Sequence, residues 1–210
     1  MAEAAPTLDP EVQTAAVQRV KTLAWVTVIW LVIDGTIGMS AGVTANSVVL
    51  IGWGLDCAIQ AAAALVIIWR YTGTRVQSRD AERLAQRVVG ASFFLLAPYI
   101  AVVAIDHLAT GNAAGASWLG IALAASDAAL MPFVGRAKQR VGATLGSHAT
   151  RSEGRQNVLC AYLSVAVLLG LTANALFGWW WADPMVALLV GVAVVQAGLT
   201  SWRGDTATAC

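Results

Sequence analysis

Charge is scarce in this chain. Acidic and basic residues together make up only 12% of its 210 residues, against 58% apolar ones, so a soluble surface would lack polar cover and lipid must act as part of the solvent. Cysteine occurs three times, as Cys57, Cys160 and the terminal Cys210, and histidine twice. That excludes a disulfide framework and any CxxC metal motif. No paired-histidine or HExxH arrangement is present, so the sequence offers nothing for a membrane-embedded enzyme to work with. The net charge is only +1, and nucleic acid is not expected as a partner. The alternating ten-residue pattern of a transmembrane β-barrel is missing too, which leaves helices as the spanning element.

What is present is a set of six apolar stretches, at 22–44, 47–69, 88–108, 116–134, 156–177 and 183–202. At ~20 residues and ~1.5 Å rise each, such stretches cross a hydrocarbon core of ~30 Å. The expected fold class is an all-α integral membrane protein with six transmembrane helices. The thirteen basic residues fall outside these stretches and on one side: Arg19 and Lys21; Arg70, Arg75, Arg79, Arg83 and Arg87; Arg136, Lys138, Arg140, Arg151 and Arg155; and Arg203. The connections around Thr44–Ser47, Thr110–Ser117 and Gly178–Pro184 contain none. Under the positive-inside rule both termini are cytoplasmic and the location is a multi-pass plasma membrane protein. Trp69, Trp118, Trp202 and the run Trp179-Trp180-Trp181 sit at expected span ends, as interfacial anchors do. Residues 1–21 read as a loose cytoplasmic tail, 22–202 as the membrane domain, and 203–210 as a short cytoplasmic tail with no further domain.

Ionisable groups inside spans are expensive and become the functional candidates. The first expected span carries Asp34, the second Asp56 and Gln60 at i and i+4, and the fourth Asp127. The fifth opens on a polar stripe of Glu153, Gln156 or Asn157, and Cys160. A lone Gln or Asn in a span serves most often as interhelical glue, and a lone Cys as a small apolar residue. Asp56 is different, since no Lys or Arg is expected in any span to neutralise it. A cation or a proton is the expected neutraliser. Asp56, Gln60, Gln156 and Cys160 would make a divalent-metal site between the second and fifth helices, with zinc favoured by its mixed O and S donors. Asp34 and Asp127 are either a proton relay or protonated structural carboxyls, and Glu153 and Asn157 would support the site. Gly38 and Gly42 form a small-xxx-small packing face. The expected span limits leave Asp56 and Cys160 at depths differing by ~12 Å, at ~1.5 Å per residue, unless the fifth helix starts earlier, near Thr150.

At these residues the sequence resembles the membrane domain of the cation diffusion facilitator family, over nearly the whole chain. The matching segments are Gly52-Trp53-Gly54-Leu55-Asp56-Cys57-Ala58-Ile59-Gln60, Gln156 to Cys160, and Asn174-Ala175-Leu176-Phe177-Gly178-Trp179-Trp180-Trp181-Ala182-Asp183-Pro184. The resemblance implies six spans, both termini inside, and efflux of a divalent metal in exchange for protons from a site on the second and fifth spans. It implies a homodimer, with the metal and protons as substrates and no permanently bound cofactor. The chain departs from the family by offering one carboxylate, two amides and a thiol where Asp or His is usual. It also ends soon after the sixth span, without the family's cytoplasmic metal-binding domain.

Overall fold

The computed structural model describes residues 9–44, 48–111, 118–179 and 181–203, with some helical side chains outside that description. The expected tails at 1–8 and 204–210 and the connections at 45–47 and 112–117 therefore lie outside the described residues. Six long helices follow in chain order: α1 (Pro10–Thr44), α2 (Val48–Arg70), α3 (Arg79–Thr110), α4 (Trp118–Thr144), α5 (His148–Phe177) and α6 (Ala182–Arg203). A short 3₁₀ turn at Gly73–Gln77 joins α2 to α3, and no strand occurs among the described residues. Among those residues, stretches of α1, α2, α3 and α4 are long and apolar enough to cross a membrane. The fifth and sixth expected spans fall on α5 and α6, where several side chains lie outside the description.

The helices are longer than the apolar runs that announced them, and local capping explains why. Asp9 accepts the Glu11 N–H at 2.9 Å and Pro10 takes the first helical position, so α1 starts there rather than at residue 22. The loose tail expected over 1–21 is thus helical from Pro10, and it is held by Val20, which is fully buried beside Ile67, Tyr71 and Val89. Ser78 caps α3 by accepting from Ala81 N at 3.2 Å, which draws Arg79, Arg83 and Arg87 onto helix instead of loop. Helix α4 runs ten residues past its expected end, to Thr144. A tight turn follows, with Gly146 at φ 62°, where a side chain would be strained. Ser147 then accepts from Thr150 N at 3.2 Å and starts α5 well before residue 156.

The helices close a ring in which α1 packs on α2, α2 on α3, α3 on α6, α6 on α5, α5 on α4 and α4 on α1. Helix α5 also reaches α2 and α3 across the ring, which makes it the inner helix. Two contacts bring backbones together. A Cβ on Gly54 would sit 3.0 Å from Gly35 O, and one on Gly154 would sit 2.7 Å from Gly135 O. These small residues let α1 meet α2, and α4 meet α5, at close range, with Met39 packed against Gly54 and Val158 against Gly135. Outward positions such as Ile29, Ile33, Leu95, Val102, Leu189 and Val192 are exposed and aliphatic, suited to lipid.

Candidate functional site

Longer helices also remove the mismatch in depth. Counted from the ends of α2 and α5 that face the basic turns, Asp56 lies ~21 Å in and Cys160 ~18 Å in, at ~1.5 Å per residue. They meet through Gln60. Its Nε2 donates to Asp56 Oδ2 at 2.7 Å and lies 3.5 Å from Cys160 Sγ. Three of the four expected ligands therefore come together. Gln156 does not join them. Its Oε1 accepts from Ser92 Oγ of α3 at 3.0 Å, tying α5 to a different neighbour. Among the described residues, no three His, Cys, Asp or Glu side chains converge on a metal-sized point.

Asp34 and Asp127 belong to the same polar interior. Asp34 Oδ2 accepts from the indole of Trp53 at 2.7 Å and from Cys57 Sγ at 3.2 Å, joining α1 to α2. Asp127 Oδ1 accepts from the indole of Trp30 at 2.7 Å, joining α4 to α1. Both carboxylates are buried. Asp34, Asp56 and Asp127 lie within electrostatic reach of one another, and Cys160 within reach of all three. Among the described residues, the buried atoms Asp34 Oδ1, Asp56 Oδ1 and Gln60 Oε1 have no hydrogen-bond partner. Orphaned oxygens of this kind are costly unless a proton or cation visits them.

One expectation about charge is overturned. Lys138 does not sit in a solvated loop; it is fully buried on α4 and paired with Glu153 of α5, itself buried. Its ammonium also donates to Thr27 Oγ1 of α1 at 2.6 Å, which Asn157 Nδ2 approaches at 3.5 Å. Glu153 and Asn157 thus serve this pair rather than the Asp56 cluster. The physical reason is the unbroken helix past residue 134. Arg136 and Arg140 share its outer face, and Lys138, two residues from each, must point the other way. That offset was readable in the sequence. The indole donors Trp30 and Trp53 were not, because each bonds a carboxylate on another helix.

A second polar knot ties the helix ends. Arg70 pairs with Glu82 at 2.9 Å and donates to the carbonyls of Arg75 and Val76 at 2.6 and 2.9 Å. Glu82 in turn accepts from Ser147 Oγ at 3.0 Å and from Ala149 N at 2.9 Å, at the start of α5. Arg75 stacks over the ring of Trp69 at 4.9 Å, so this end of α2 carries both a basic turn and an aromatic anchor.

No family model matches the chain. It is 30% identical over 173 residues to a protein of Synechocystis sp. described as an uncharacterized transporter. The aligned part is 78% of this chain and 56% of that protein, so the chain spans about half the length of the curated relative it matches. A ring of apolar helices with a polar interior, similar in sequence to a transporter, makes this a helical multi-pass membrane protein.

Proposed function

We propose that the chain is a transporter of a divalent metal cation, zinc foremost, exchanged for protons by alternating access through the polar interior between α2 and α5. The observation that carries this reading is the set Asp34, Asp56 and Asp127. These three carboxylates share one interior, and no Lys or Arg pairs with them among the described residues. Their negative charge has to be met by protons or by a passing cation. Asp56 and the Cys160 thiolate would be the charged ligands. Gln60 now bridges them through its N–H, and turning its amide would present Oε1 to the ion instead. Such a site has few donors and mixed chemistry. That suits an ion in transit, which must be bound firmly enough to enter and loosely enough to leave. Protons released by Asp56, and by Asp34 or Asp127, would supply the exchange. The reading extends to the plasma membrane, both termini in the cytoplasm, and a homodimer.

A second reading has a specific observation behind it. Gln60 and Gln156 already act as hydrogen-bond glue between helices, which also fits a transport-incompetent relative that serves as a membrane scaffold or binds a partner. Metal flux into proteoliposomes under an imposed pH gradient decides between them. The natural chain should carry zinc, and Asp56→Ala should lose most of that flux. A natural chain that carries no metal favours the scaffold; unchanged flux in the variant removes Asp56 from the site.

A further inference from the structure

We propose that the buried Lys138–Glu153 pair is a gate that closes the polar interior on the side of the α4–α5 turn, and that it must part for Cys160 to meet solvent. The inference rests on the transport reading above, because it assigns the barrier for that path. Its first support is position. Glu153 lies two turns along α5 from Cys160, ~10 Å at ~1.5 Å per residue, toward the turn where the basic residues gather. Lys138 joins α4 to Glu153 and to Thr27 of α1, so a single ammonium draws three helices together across that end.

Its second support is that the pair is incompletely satisfied. Glu153 Oε2 is buried and without a hydrogen-bond partner, while Oε1 takes the lysine. A buried ion pair is weak as a permanent fastening unless its remaining lone pairs are met, and it is costly when only one member is present. A pair left half-satisfied is suited to an element with two arrangements. Opening would also have to release the close neighbours of the pair: Val158 Cγ2 lies against Gly135, and Gln139 Nε2 donates to Gly154 O at 3.2 Å. The orphan oxygen of Glu153 would also give an entering cation its first carboxylate once Lys138 withdraws.

The test reads thiol accessibility in the full chain, purified in detergent, with a water-soluble maleimide. Two single-cysteine chains are compared, one keeping Cys160 (C57S/C210S) and one keeping Cys57 (C160S/C210S). Lys138→Gln should speed labelling of Cys160 at least tenfold and leave Cys57 within twofold. Lys138→Arg, which keeps the charge, should stay near the parent. If the single neutral variant does not fold, K138M/E153M removes the gate without stranding a buried charge and should give the same tenfold increase. Unchanged Cys160 labelling in folded variants overturns the gate. So does equal acceleration at Cys57, since that marks the pair as a general fastening. Labelling does not depend on flux. A chain that carries no metal yet opens at Cys160 overturns the transport reading alone, and one that carries metal while Cys160 ignores Lys138 overturns the gate alone.

Discussion

Two glycines give the sharpest test of the packing that brings α5 against α4. Gly154→Ala places a methyl 2.7 Å from Gly135 O, 2.9 Å from Gln139 N and 2.9 Å from Lys138 Cβ. Two of those neighbours are backbone atoms that cannot rotate aside, so the helices must separate. Overpacking of this kind costs ~1–3 kcal/mol, and backbone neighbours put it near the upper end. Alanine also returns ~1 kcal/mol of helix propensity, leaving a net loss of ~2 kcal/mol. Gly191→Ala on α6 meets only Ile100 Cγ2, at 3.4 Å, which is ordinary contact. It keeps the propensity gain and should be neutral or stabilising by up to ~1 kcal/mol. The backbone term enters both variants and cancels, so their difference of ~3 kcal/mol isolates the steric cost. Thermal unfolding in detergent, followed by circular dichroism, should separate the two midpoints by roughly 6–12 °C at ~2–4 °C per kcal/mol. Midpoints within ~2 °C of each other would refute the close α4–α5 contact.

Other outcomes follow from the polar contacts. Glu82→Ala removes the partner of the largely buried Arg70 and the acceptor at the start of α5. Glu82 is 17% exposed at its side chain, so solvent softens the loss, and ~2 kcal/mol is expected from the charged hydrogen bonds forfeited. Denaturant or thermal unfolding checks it, and a change below ~0.5 kcal/mol would remove the knot from the account of stability. Gln60→Glu adds a second carboxylate beside Asp56 and should tighten zinc binding at least tenfold by calorimetry. An unchanged affinity takes Gln60 out of the ligand set.

The six long helices, four of them with stretches long and apolar enough to cross a membrane among the described residues, were legible because bilayer thickness sets a length that apolar runs must meet. Their ends were less so, because capping by Asp9, Ser78 and Ser147 carries helix past the apolar run into polar sequence. Hydropathy measures transfer into lipid and is silent on helix that continues beyond it. In the site, the i, i+4 pair on α2 was legible because both members lie on one face of one helix. The two expected positions on α5 part company. Cys160 faces α2, whereas Gln156, one turn away, faces Ser92 of α3. The inner helix touches several neighbours, and spacing along a chain does not say which neighbour each side chain meets.

Lys138 bears most directly on the argument from charge. No Lys or Arg was expected in any span, yet Lys138 is buried on α4, inside a stretch long and apolar enough to cross a membrane. The proposal of a cation does not depend on that absence, because the lysine is already committed. Its ammonium is taken up by Glu153 and Thr27, so this pair adds no net charge to the interior. Two of the three aspartates are held by neutral indoles and the third by a neutral amide. Neutral donors stabilise a carboxylate but do not cancel its charge. Were Lys138 to leave Glu153, the interior would gain one more uncompensated carboxylate on the path to Cys160. The same move that opens the gate would therefore raise the pull on a cation entering from that side, and binding would follow opening without a separate device to couple them.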